Sequence, residues 1–203
     1  IKRPDLLVLI DNYDSFTYNL YQQIGAFDPE IIVVKNDEIT LDDLKAMHPS
    51  HLILSPGPGR PEDSGISLAA ARYFANRIPM LGVCMGLEVI CEALGGQLKL
   101  AKTLMHGKSG QVTLDTTDPL FRNCPTEAMV ARYHSLVCDG DSLPGIFNVP
   151  AYSADGDIMA LTIPSMQIYG MQFHPESVMT EPGIGDQMIQ NFLQASIASG
   201  ATN

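Results

Sequence analysis

Met80-Leu81-Gly82-Val83-Cys84-Met85-Gly86 is an apolar run ending on a cysteine, with a glycine two residues away on each side. A strand that turns sharply into a helix strains its corner residue, and small neighbours let the two backbones approach. Cys84 is thereby placed at a nucleophile elbow, with residues 87–94 able to supply the helix. A thiol at a first helical turn faces unpaired N–H groups and the positive end of the helix dipole, both of which favour the reactive thiolate. The competing assignment is a small buried residue at a strand end, common for free cysteine.

The matching base is sought in Phe173-His174-Pro175-Glu176-Ser177, which follows another apolar run. Residues two apart in extended backbone point the same way, and Pro175 disfavours helical geometry at His174. Glu176 can therefore hold one imidazole nitrogen and leave the other to exchange protons with Cys84. His134, in Arg132-Tyr133-His134-Ser135-Leu136, is the rival base. His48 and His51 flank a turn before a strand and read as structural, and His106 falls on a surface loop. Cys91, seven residues beyond Cys84 on roughly the same helical face, reads as core, and Cys124 and Cys138 have no base nearby in sequence.

A third motif, Ser55-Pro56-Gly57-Pro58-Gly59, follows residues 51–54. Its prolines stiffen the loop and its glycines expose N–H groups that could hold a developing oxyanion, although the same residues make plain turns.

These motifs need a frame. The short apolar runs 6–10, 31–34, 52–54 and 80–83 read as buried parallel strands, separated by helix-length segments 15–26, 41–47 and 66–76. After Gly95 the segments 97–100, 110–114, 128–133, 157–163 and 167–171 suggest strands joined by tight loops, some antiparallel. Met188, Ile189, Phe192, Leu193 and Ile197 recur at helical spacing and predict a last helix. With no repeat, low-complexity tract or linker, residues 1–203 read as one domain in which the topology changes near Gly95.

Taken together, the elbow, the S-P-G-P-G loop and the F-H-P-E-S segment occur in the order and spacing of class I glutamine amidotransferases. Residues 11–20, D-N-Y-D-S-F-T-Y-N-L, resemble the opening signature of the branch serving anthranilate synthase and aminodeoxychorismate synthase. The resemblance spans essentially the whole chain. It implies an α/β fold, an open, doubly wound, mostly parallel sheet of flavodoxin-like type with an additional antiparallel portion. It implies L-glutamine as substrate, no cofactor and, as partner, a chorismate-using synthase subunit, with anthranilate synthase favoured over the folate branch. Cys84 would attack the glutamine amide, His174 would protonate ammonia and activate water, and Glu176 would orient His174. The amides of Gly57 and Met85 would hold the oxyanion, and the Ser135 and Leu136 backbone would bind the α-carboxylate and amino groups. Lys108 and residues 13–16 would face the synthase.

One departure stands out. Where the family reads leucine, glycine, histidine, glutamine after the cysteine, this chain reads Met85-Gly86-Leu87-Glu88. Glu88 replaces a substrate-holding amide with a second negative charge near Cys84, which should oppose thiolate formation and weaken glutamine binding. It must be protonated or paired with a cation, or the glutaminase must be slow or partner-dependent. A degenerate structural or regulatory subunit is the corresponding alternative. A general cysteine hydrolase is disfavoured by the Ser135, Leu136 and S-P-G-P-G matches, and a zinc enzyme by the lack of H-E-x-x-H or paired-cysteine motifs.

Bulk properties agree with such an enzyme. The 203 residues are 45% hydrophobic, enough for a sizeable core. Twelve Lys and Arg against 23 Asp and Glu give a formal charge of -11, which repels nucleic acid and anionic lipid. No apolar run approaches the ~18 residues of a membrane span. No signal peptide is evident in the first residues, so a cytoplasmic location is expected. A chain of this length leaves no second domain to consume ammonia, which is why a partner is expected.

Overall fold

The computed structural model describes residues 6–27, 30–104 and 107–195. Among the described residues, eleven strands and five α-helices follow one another. The first half alternates β1 (Leu7–Asp11), α1 (Thr17–Gly25), β2 (Ile31–Lys35), α2 (Leu41–Ala46), β3 (His51–Leu54), α3 (Ser67–Phe74), β4 (Met80–Val83) and α4 (Met85–Ala93). Then come β5 (Leu98–Leu100), β6 (Lys108–Leu114), β7 (Glu127–Arg132), β8 (Leu136–Cys138), β9 (Asn148–Ser153), β10 (Ile158–Ile163), β11 (Ile168–Met171) and α5 (Ile184–Leu193).

Nine strands form one mixed sheet in the order β2-β1-β3-β4-β11-β10-β9-β6-β7, and β5 pairs with β8 apart from it. The β2, β1, β3, β4 and β11 pairings are parallel, and those from β11 outward to β7 are antiparallel. This is the expected α/β architecture of parallel strands with an antiparallel portion. The change of direction is not a simple division at Gly95, because β11, late in the chain, returns to the centre beside β4.

The central strands are apolar throughout because both faces are covered. Leu7, Leu9, Ile53, Leu81 and Val83 pack with Leu20 and Ile24 of α1 and Met188, Ile189 and Phe192 of α5. Val8, Ile10, Leu52, Leu54 and Met80 pack with Leu44 of α2, Ala70 and Phe74 of α3, and Leu87 and Ile90 of α4. Helix α2 starts at a capping box in which Thr40 and Asp43 each bond the other's backbone N–H. No described helix is long and apolar enough to cross a membrane.

The strand expectations fall within a few residues of the observed elements, but β8 and β9 were not anticipated. Both are short or irregular: β8 has three residues, and β9 shifts register against β10. Cys138 lies buried on β8. Residues 1–5, His106 and Ile197 of the sequence expectations lie outside the described residues.

Candidate active site

The carboxyl ends of β1, β3, β4 and β11 lie side by side, so the loops leaving them converge on one edge of the sheet. Cys84 is the corner between β4 and α4. Its φ is 54° and its ψ -105°, a conformation strained for a side-chain-bearing residue. The corner is held by the Cys84 N–H donating to Met171 O at 2.8 Å and by the Glu88 N–H donating to Cys84 O at 3.2 Å. A Cβ on Gly82 would meet the Gly86 carbonyl at 2.4 Å, and one on Gly86 would meet Leu54 O at 2.2 Å. The two glycines are therefore required by close packing of strand, helix and neighbouring strand.

Parallel pairing of Val83 with Met171 places Gln172 beside Cys84 and His174 one alternation further along. Gln172 Nε2 stands 3.7 Å from Cys84 Sγ. His174 is fixed by its N–H to Ala131 O at 3.0 Å and by Thr180 Oγ1, which donates to His174 O at 2.5 Å. Thr180 Oγ1 also accepts from the Ala131 N–H, tying the loop to β7. His174 Nδ1 meets Glu176 Oε1 at 2.5 Å, with both side chains buried. Tyr133 covers the imidazole edge-on at 4.9 Å between ring centroids. His174 Nε2 is buried with no hydrogen-bond partner among the described residues.

A cavity of about 150 Å³ opens over the thiol, lined by Gly57, Pro58, Gly59, Cys84, Glu88 and residues 133–136. Gly57 sits so close to the elbow that a Cβ there would be 2.3 Å from Asn12 O and 2.6 Å from Met85 Cε. Five of the residues singled out from sequence, Gly57, Cys84, Glu88, Ser135 and Leu136, thus share one cavity, and Met85 adjoins it. A larger depression of about 700 Å³ near Asp118 and Phe147 has no cysteine or histidine in its lining.

The electrostatics depart from one expectation. Burial pushes the Cys84 thiol well above its usual pKa, and the carboxylates of Glu88, Asp14 and Glu176 push it the same way. Only the Met85 N–H at the helix start opposes them. Desolvation and the acidic neighbours outweigh the helix terminus, so the surroundings raise the thiol's pKa instead of lowering it as the helix start alone would.

Glu88, only 4% exposed, is pushed up to about 7, chiefly by burial. Its bonded partner is the Gln172 amide at 2.9 Å, with the charge of Arg60 acting only at longer range. Of the ways in which this carboxyl could be accommodated, protonation in its pocket is therefore the one the surroundings favour.

His134 is not free to act as the rival base. Its Nε2 accepts from Arg132 Nε at 3.1 Å, and its Nδ1 lies 3.1 Å from Leu136 O. Burial, with Arg132 adding to it, lowers its pKa to about 4. His51 is packed edge-on against Phe192, as expected of a structural residue. Cys91 is a buried core residue of α4.

Sequence reasoning missed the part that three residues play in shaping the site. Gln172 bridges Glu88 and the thiol; its position two before His174, on the same face of an extended segment, was the available signal. Asp14, grouped from sequence with the synthase-facing residues 13–16, has its pKa raised chiefly by burial, and its charge pushes the Cys84 thiol upward. Asn12 joins the loops: its Nδ2 donates to Ser55 O at 2.8 Å, while its Oδ1 accepts from Asn36 at 3.0 Å and Ser67 at 2.7 Å.

Comparison with known proteins places these features in a lineage. The family model described as glutamine amidotransferase class-I matches residues 8–195. The chain is 42% identical over 189 residues to the aminodeoxychorismate/anthranilate synthase component 2 of Bacillus subtilis, covering 93% of this chain and 96% of that one. It is 43% identical over 188 residues to the aminodeoxychorismate synthase component 2 of Escherichia coli, covering 93% and 99%. It is 44% identical over 189 residues to the bifunctional protein TrpGD of Thermotoga maritima, covering 92% of this chain but spanning only 32% of that longer protein. A crystal structure described as that of a GMP synthase subunit from Thermoplasma acidophilum shares the fold, with a TM-score of 0.81 at 23% identity over 95% of this chain and 94% of that one.

Proposed function

The chain belongs to the class I glutamine amidotransferase family, and from that premise we propose that it is the glutaminase subunit of a chorismate-using synthase. Anthranilate synthase is the favoured assembly and aminodeoxychorismate synthase the alternative, since relatives bearing each name stand at similar identity. The reading is supported by the strained elbow cysteine at the end of β4 and by a buried imidazole on the segment leaving the adjacent strand β11, with Nδ1 held by Glu176 and Nε2 without a partner among the described residues. A cytoplasmic setting is part of the same reading.

Cys84 Sγ attacks the side-chain amide carbon of glutamine. Because the resting thiol is protonated, its proton passes to His174 Nε2 as the C–S bond forms, and Glu176 stabilises the imidazolium. The carbonyl electrons collect on oxygen, toward which the N–H groups of Gly57 and Met85 are offered. Collapse breaks the C–N bond, and His174 returns the proton to departing ammonia. Water then adds to the thioester with His174 as base, releasing glutamate and restoring the thiol. Free ammonia would be protonated and lost as a nucleophile, which favours delivery within a docked complex. The charge of -11 is compatible with a complementary basic surface on that partner.

The test is reconstitution with chorismate and the chorismate-using partner. Glutamine should support amino transfer, and Cys84→Ser should abolish that support while leaving ammonium-driven synthesis intact. Anthranilate or 4-amino-4-deoxychorismate as product assigns the branch. Synthesis that runs on ammonium but never on glutamine would instead favour a structural subunit.

A further inference from the structure

The segment between β7 and β8 carries a buried polar chain that the reaction does not use. Arg132, 4% exposed, donates from Nε to His134 Nε2 at 3.1 Å, and His134, 5% exposed, turns Nδ1 to Leu136 O at 3.1 Å. A guanidinium can only donate, so His134 Nε2 must be the acceptor and the ring proton must lie on Nδ1. That proton is then directed at the Leu136 carbonyl. Burial and the neighbouring Arg132 keep the ring neutral, with its pKa lowered to about 4.

The register says what this bond does. Ala101 N–H donates to Ser135 O at 2.9 Å, and Leu100 stands opposite Leu136 in the antiparallel pair of β5 and β8. In such a ladder successive residues alternate, so Ser135 faces β5 and Leu136 turns both its N–H and its C=O away from it. His134 takes the carbonyl, and the Leu136 N–H is directed to the same side, at the rim of the cavity over Cys84 that Leu136 lines.

We propose that Arg132 and His134 are positioning residues for glutamine recognition: Arg132 fixes the Nδ1–H tautomer of His134, which pins the Leu136 carbonyl and so presents the Leu136 N–H to the α-carboxylate of the substrate. This rests on the glutaminase reading above. The strut acts on binding of the amino-acid end and leaves the thiol, the imidazole at 174 and the oxyanion donors untouched. Its loss therefore appears in the binding constant rather than in the chemical step.

Two substitutions separate the halves of the strut. In His134→Asn the side-chain NH₂ replaces Nδ1–H and keeps a donor for Leu136 O. In His134→Gln the longer side chain reaches Arg132 but withdraws the donor from Leu136. The assay is saturation labelling of Cys84 by 6-diazo-5-oxo-L-norleucine, followed by mass spectrometry, which yields an inhibitor-binding constant and a maximal rate. The Gln variant should bind the probe about tenfold more weakly at an unchanged maximal rate, and the Asn variant should stay within about twofold of the wild type. Equal binding in all three proteins, equal weakening in both variants, or a loss confined to the maximal rate overturns the proposal. A wild-type protein that the probe does not label overturns the glutaminase reading itself, a result distinguishable from the others.

Discussion

Gln172 donates to Glu88 Oε2 at 2.9 Å, and the same nitrogen stands 3.7 Å from the Cys84 sulfur. A buried acid with a pKa of about 7 is therefore coupled through one amide to the nucleophile. When Glu88 ionises, its charge raises the thiol further and stands in the lining of the cavity over Cys84.

Replacing Glu88 by Gln should consequently raise glutaminase kcat/KM, by about tenfold at pH ~8, where the wild-type acid is charged. On acidification through about 7 the wild type should gain on the variant as Glu88 takes up its proton. Parallel pH profiles of the two enzymes with the synthase present provide the check. A variant with unchanged or lower kcat/KM at pH ~8 would remove Glu88 from the rate.

The same group should mark the pH dependence of folding. Its folded pKa of about 7 lies above the ordinary 4.5, so the folded state binds more protons and loses stability as pH rises between those values. Relative to wild type, Glu88→Gln should gain about 2–3 kcal/mol between pH ~5 and pH ~8. Urea denaturation at both pH values measures this, and a constant difference would contradict a raised pKa.

Glu176→Gln keeps the packing of a fully buried side chain but removes the charge that faces His174 Nδ1 at 2.5 Å. The imidazolium formed during thiol attack loses its stabilising anion. We expect kcat to fall by about 10²-fold with KM nearly unchanged. Steady-state glutamine hydrolysis decides it, and full activity would assign Glu176 to structure alone.

Gly82→Ala tests the elbow. The added methyl would lie 2.4 Å from the Gly86 carbonyl, a backbone group that cannot swing aside. A stability loss of about 2 kcal/mol and loss of Cys84 labelling are expected. Wild-type labelling kinetics in this variant would show that close strand–helix contact is unnecessary.

Asn12→Ala should cost about 2–4 kcal/mol, because Ser55 O, Asn36 and Ser67 would each lose a buried partner. Urea denaturation measures it. A change below about 0.5 kcal/mol would mean that these groups find other partners.

The local part of this protein is written in the order of its residues. Apolar runs bounded by glycine and proline specify the parallel strands, and glycines two away from Cys84 specify a tight corner. His174 and Glu176 meet across the turn that follows β11, closed by the Ser177 N–H donating to His174 O at 3.4 Å, and not along the extended backbone expected from the sequence. Each depends on neighbours a few positions apart, so the chain order alone carries the information. The pairing of β11 with β4, by contrast, joins residues nearly ninety positions apart. Only that pairing brings Gln172 to the thiol, and only burial in the assembled site turns Glu88 into an acid near neutrality and pushes the Cys84 thiol above its ordinary pKa. Desolvation depends on everything that surrounds a group in space. The residue types were therefore legible in the sequence, while their protonation and the engagement of His134 by Arg132 and Leu136 were set by the tertiary structure.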